Sequence, residues 1–183
     1  MGKIKDRCGN FSELPQNALG CQMARLWKKE LVVLNDRELE HLYRLENLVS
    51  AIAGRKVKIY VSTYYSHKEH KTLGKISGFS MGMYICLNSA HDLGTLRHEL
   101  GHCDQSKKLG WLYLPVVGIY SAVFCNLWDR WFHKAWNRYD RLYWYYMTRW
   151  TEKWADRLGK VDREKMLANV PRPSSARYPA MEG

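Results

Sequence analysis

The segment TLRHELGHCDQ, residues 95–105, sets His98 and His102 four apart, with Glu99 directly after the first. In an α-helix, residues at that spacing share a face about 6 Å apart along the axis, so both imidazoles can turn a ring nitrogen to one ion. Glu99 leaves the same helix about 100° round from His98, out of the ligand plane but able to reach a water beside the ion. That is where a general base belongs. Zinc lowers the pKa of a bound water to about 7, and a neighbouring carboxylate takes the proton as the oxygen attacks a carbonyl. Gly101 sits between the histidines. Inside a helix glycine costs about 1 kcal/mol relative to alanine, so its presence there implies a close approach by something else.

A catalytic zinc takes three protein ligands and keeps one position open. The H-x-x-G-x-x-H extension that would supply a third histidine is absent, because Gln105 and Lys108 hold its glycine and histidine positions. His133 stands alone. A better source is TEKWADRLG, residues 151–159, where Glu152 and Asp156 lie four apart, with Ala155 and Gly159 completing E-x-x-A-D-x-x-G. Glu152 can supply a carboxylate oxygen. Asp156, one turn on, can accept the N–H on the far side of a ligand imidazole and fix its tautomer. Tyr145, Thr148 and Arg149 lie within two turns of Glu152 and are candidates to stabilise a transition state; the sequence does not choose among them. His67 and His70, in the lysine-containing SHKEHK, read as solvated.

HELGH followed about fifty residues later by EKWAD resembles the gluzincin metallopeptidases. With the glycine of HELGH and the alanine of EKWAD, the pair is most similar to the membrane-associated branch that includes the CaaX-prenyl-protease-like and heat-shock-type enzymes. The resemblance covers residues 84–159. It implies a zinc held by His98, His102 and Glu152, Glu99 as general base, a peptide or protein substrate, and apolar segments between the two motifs. It also implies a small zincin-like α+β domain, mostly helical, with a short sheet before the HELGH helix. In such a fold the strand preceding that helix borders the cleft, so MGMYICLN is either a strand to which an extended substrate adds by backbone pairing or an ordinary core strand.

The elements that must position these residues can be read from periodicity. Leu39, Leu42, Leu45, Leu48 and Ile52 recur at helical spacing, with Gly54 as a stop. Val57, Ile59 and Val61 alternate as in a half-buried strand, and KISGFSMGMYICLN is a second strand region broken by Gly78 and Gly82. The metal-binding helix is expected from Asp92 to Lys108, capped by Asn88 or Ser89, with Gly110 beyond its end. Residues 111–128 carry no charge. Pro115, Gly118 and Asn126 argue against a crossing, which takes about 20 apolar residues, so a buried or half-inserted hairpin is expected. From Trp128 to Trp154 an aromatic face recurs every three or four residues, as on one long helix or two stacked ones. Gly9, Pro15 and Gly20 suggest a loosely ordered lead over residues 1–22, ahead of a single domain over 23–161 and a disordered tail over 162–183.

Composition narrows the partners. Of 183 residues 46% are hydrophobic, enough for a core, and 29 Lys and Arg against 18 Asp and Glu give a net charge of +11. That charge attracts anionic surfaces, and the eight Trp and twelve Tyr favour a membrane interface over nucleic acid as the partner. Five cysteines without paired spacing argue for a reducing compartment, and no apolar run follows the N-terminus as a secretory signal would. A cytoplasmic or membrane-associated protein is expected. Two rivals to an enzyme remain: a metal-stabilised membrane-associated binding protein, and a basic nucleic-acid binder that stacks bases on Trp and Tyr.

Overall fold

Alternation places Val57, Ile59 and Val61 on one face, and all three are buried. In the computed structural model, which describes residues 11–27, 36–61, 78–87, 93–133 and 142–162, they lead into and fill β1 (Lys58–Val61). β2 (Gly78–Met81) and β3 (Tyr84–Leu87) complete a three-stranded sheet in the order β1-β3-β2. β3 runs parallel to β1, with Lys58 opposite Tyr84 and Val61 opposite Leu87, and antiparallel to β2, with Met81 opposite Tyr84. The expected α+β class, mostly helical with a short sheet ahead of the HELGH helix, is what the chain forms.

One expectation about this sheet is corrected. β3 is the middle strand, so both of its ladders are already used, and it has no edge left for an extended substrate. The edge on that side belongs to β2.

Among the described residues α1 (Leu14–Trp27), α2 (Asp36–Ala53) and α3 (Leu93–Leu109) pack on the sheet, and α4 (Trp150–Gly159) packs on α3. The main core joins Leu45, Val49 and Ala53 of α2 to Val57, Ile59, Ile85 and Leu87 of the sheet and to Leu96, Leu100 and Cys103 of α3. The buried stripe of α2 therefore runs Leu45, Val49, Ala53, at steps of four. Leu48 and Ile52, expected on it, are 58% and 68% exposed. Gly54 and Gly110 both adopt positive φ, +61° and +55°, and end α2 and α3 where the sequence places their stops. The capping positions 88 and 89, Asp92 and the tail from 163 lie outside the described residues.

Residues 11–22 are not loose. A short 3-10 turn (Phe11–Glu13) runs into α1, which packs on β2 and β3. The residues that suggested disorder have other reasons to be there. Pro15 occupies the first turn of α1, where a missing N–H costs nothing. A Cβ on Gly20 would lie 2.4 Å from the Met81 carbonyl oxygen, so glycine lets the helix meet the strand. Asn17 Oδ1 accepts the Met83 N–H at 2.8 Å, tying α1 to the β2–β3 turn at Gly82. Buried Glu13 pairs with Arg55 and accepts from Ser106 Oγ at 3.0 Å, and Gln16 donates to the Gly110 carbonyl.

After α3 the expected hairpin is replaced by a run of helical turns. A 3-10 turn (Gly110–Leu112), two π-helical stretches (Leu114–Gly118 and Ser121–Trp128) and an α turn (Asp129–Trp131) follow one another. Pro115 is tolerated because it falls in the first turn of its stretch. Among the described residues no helix is long and apolar enough to cross a membrane. Of the two readings of the aromatic face, one long helix does not hold: a π turn (Leu142–Tyr146) precedes a break at Arg149, whose ψ is 148°, before α4 begins, while residues 134–141 lie outside the described residues.

Candidate metal centre

Helices α3 and α4 cross where neither can carry a side chain. A Cβ on Gly101 would lie 1.9 Å from the carbonyl oxygen of Ala155, and one on Gly159 would lie 1.9 Å from that of Arg97. The glycine between the two histidines and the small residues of the EKWAD motif thus serve one purpose, backbone contact between the two helices. That contact brings the motifs face to face. His98 Nε2 and His102 Nε2 each lie 3.2 Å from Glu152 Oε2. The available ligand atoms of the three residues all fall within 4.8 Å of one another.

The far sides of both imidazoles are held. His98 Nδ1 lies 2.6 Å from Asp156 Oδ1, as the sequence predicts, so Nε2 is the nitrogen turned to the shared centre. His102 Nδ1 lies 2.8 Å from Gln105 Oε1, and Gln105 Nε2 donates to the Thr151 carbonyl at 2.7 Å. Because its amide nitrogen must donate to a carbonyl, Gln105 presents its oxygen to His102 and accepts Nδ1–H. Sequence reasoning gave Gln105 no role; its position three residues after His102, on the same helix face, was the available signal.

Burial pushes His98 towards lower pKa, but its bonds to Asp156 and Glu152 outweigh this and hold it up at about 10. His102 is raised by the same opposition of burial and Glu152. Burial pushes Glu152 up, yet the two imidazoles prevail and leave it below the usual carboxylate range. Both Nε2 atoms converge on Glu152 Oε2, where a cation can take the place of any proton they carry. Two imidazole nitrogens and one carboxylate oxygen could hold a metal ion, and zinc is among those that accept such donors. With bonds of about 2.0–2.2 Å in a tetrahedral arrangement, neighbouring ligand atoms stand about 3.4 Å apart, close to the two 3.2 Å separations.

Glu99 is 5% exposed and its Oε2 accepts a hydrogen bond from Ser80 Oγ of β2 at 2.7 Å. Gly78 makes room for this: a Cβ there would meet Thr95 Cγ2 at 2.7 Å and Glu99 Cγ at 3.1 Å. Ser121 Oγ and Thr151 Oγ1 donate to the other oxygen of Glu152, at 3.4 and 3.3 Å. Ser80 and Ser121 were not found from the sequence, where one sat in an interrupted strand and the other in a stretch read only as apolar.

The three transition-state candidates make contacts of other kinds. Arg149 binds the fully buried Asp129 through Nε at 3.0 Å and Nη2 at 2.6 Å. Tyr145 stacks on His133 with ring centroids 4.1 Å apart, and Thr148 Oγ1 donates to the Trp144 carbonyl. His133 itself lies 2.8 Å from Asp129 Oδ1 and is outside the cluster of converging ligands. Compared with models of known families, with curated proteins and with solved structures, the chain finds no match.

Proposed function

We propose that this chain is a zinc-dependent peptidase with a small zincin-like fold, similar in its two motifs to the gluzincins. The observation that carries the reading is the meeting of His98, His102 and Glu152 at one centre, with Glu99 next to it in sequence and held in place by Ser80. A zinc held by His98, His102 and Glu152 would supply Lewis acidity when bound, to acidify a water and polarise a carbonyl. Glu99 takes the proton from the attacking water and returns it to the leaving amine. Asp156 and Gln105 keep both Nε2 atoms aimed at the centre, while Ser121 and Thr151 steady Glu152. A purely structural zinc is normally closed by four protein ligands, and among the described residues three converge. That favours an open, catalytic site over a metal-stabilised scaffold.

The test is zinc content by elemental analysis together with cleavage of an unbiased peptide library. One zinc is expected per chain, lost in His98→Ala and in Glu152→Ala. Glu99→Gln is expected to keep its zinc and lose roughly 10²- to 10⁴-fold or more in cleavage. A zinc-loaded wild type that cleaves nothing, and that Glu99→Gln leaves unchanged in every property, would make the centre a scaffold.

A further inference from the structure

Segment 110–131 has one row turned to the protein and one apolar row turned outward. Tyr113, Val117, Ser121 and Asp129 lie at multiples of four residues, and this row faces the protein: Tyr113, Val117 and Asp129 are buried, and Ser121 reaches Glu152. In this row Tyr113 and Val117 pack into an apolar cluster with Met81 and Trp154, and Asp129 is bound to Arg149 and His133. The outer row keeps the same step. Ile119, Val123, Leu127 and Trp131 are 60%, 42%, 54% and 73% exposed. Leu112 and Val116 extend the outer surface backwards to Trp111, all exposed. A surface helix in water carries polar residues on its outer face, and a run of exposed apolar residues there marks an interaction site.

We infer that segment 110–131 is a membrane-docking helix that lies in the headgroup region of an anionic bilayer and sets the metal centre at the lipid surface. Its outer row suits acyl chains, and no charge interrupts residues 111–128. Trp111 and Trp131 stand near its two ends, where the amphipathic indole favours the interface. Exposed Lys107 and Lys108 precede Trp111, and exposed Lys153 lies in α4, whose Trp150 packs against Tyr120 of the segment at 5.3 Å. Basic residues beside an apolar face are the pattern of a helix bound to anionic lipid. The overall charge selects lipid over a second copy of the chain, since a copy brings another +11 to the contact. With no described helix suited to crossing, the segment lies along the surface.

This inference does not depend on the peptidase reading, and its test leaves that reading untouched. The full chain is sedimented with vesicles of mixed phosphatidylcholine and phosphatidylserine, and with vesicles of phosphatidylcholine alone. Binding to the anionic vesicles is expected, weakening as salt is added. Ile119→Ser and Leu127→Ser are each expected to weaken it by roughly tenfold, since each removes a large apolar side chain from the contact. Both positions are exposed, so the variants are expected to keep their fold by circular dichroism and their zinc. The inference is overturned by absence of binding at low salt or by binding that survives the double substitution. A lipid-free dimer in the ultracentrifuge, abolished by the same substitutions, overturns it in favour of a second copy.

Discussion

Gly101 and Ala155 stand in backbone contact, with room between α3 and α4 for a hydrogen on Gly101 and for nothing larger. This reverses the usual effect of a helical glycine. Replacing glycine by alanine inside a helix ordinarily stabilises by about 1 kcal/mol. Gly101→Ala is instead expected to destabilise by about 1–3 kcal/mol or more, because the new methyl would force the two helices apart. The same displacement separates Glu152 from the two histidines, so zinc affinity falls together with stability. Denaturant unfolding and zinc titration of Gly101→Ala check this, and a variant at least as stable as wild type would refute the crossing.

The two imidazoles are oriented by different partners, a carboxylate for His98 and an amide for His102. Asp156→Asn and Gln105→Leu are each expected to weaken zinc binding about 10- to 100-fold while leaving the ligands in place. Gln105→Leu carries a further cost. It strips the Thr151 carbonyl of its buried donor, worth about 1–3 kcal/mol of stability. Competitive zinc titration alongside thermal melting separates the two effects, and a Gln105→Leu variant with wild-type affinity would deny the amide any part in holding His102.

Cys86 and Cys103 are buried, and burial pushes both thiols up to about 12 from an ordinary 9.0. A raised folded pKa means stability that is fully present below pH 9 and lost as pH rises through 9 towards 12, where the unfolded chain ionises and the folded one does not. At pH 8 both thiols are expected to resist iodoacetamide until the protein unfolds, because the thiolate is the reactive form. Mass-spectrometric mapping of the alkylated positions in native and denatured protein checks this. Labelling of Cys103 in native protein at its denatured rate is the contrary result.

What the sequence reveals about the site follows from how local its geometry is. His98, His102 and Glu99 share two turns of one helix, and Glu152 and Asp156 share two turns of another, so fixed spacing expresses their relation. Gly101 and Gly159 signal the crossing because a glycine inside a helix asks for a reason. Ser80 and Ser121 come from elements distant in sequence, and nothing in their own neighbourhoods points to a carboxylate.

The elements divide in the same way. Val57, Ile59 and Val61 declare a strand, but sheet order depends on pairing between segments, so the central place of β3 is invisible in MGMYICLN. Segment 110–131 escapes a search at period 3.6 because its π turns stretch the repeat towards four residues. α1 is missed because Pro15 and Gly20 are usually signs of loops. Here one begins a helix and the other makes room for Met81.

The contacts that seat α1 also order events in time. Glu13 reaches Ser106, Gln16 reaches Gly110 and Asn17 reaches Met83, across sequence separations of 93, 94 and 66 residues. A ribosome delivers α1 ahead of the β2–β3 turn and the end of α3, on which it docks. Long-range contacts form slowly because the closure of the intervening chain must come before the contact can reward it. The contacts of Glu13 with Ser106 and of Gln16 with Gly110 are therefore expected to form only after α3 has been made, later than those that tie Asn17 and Gly20 to the β2–β3 turn.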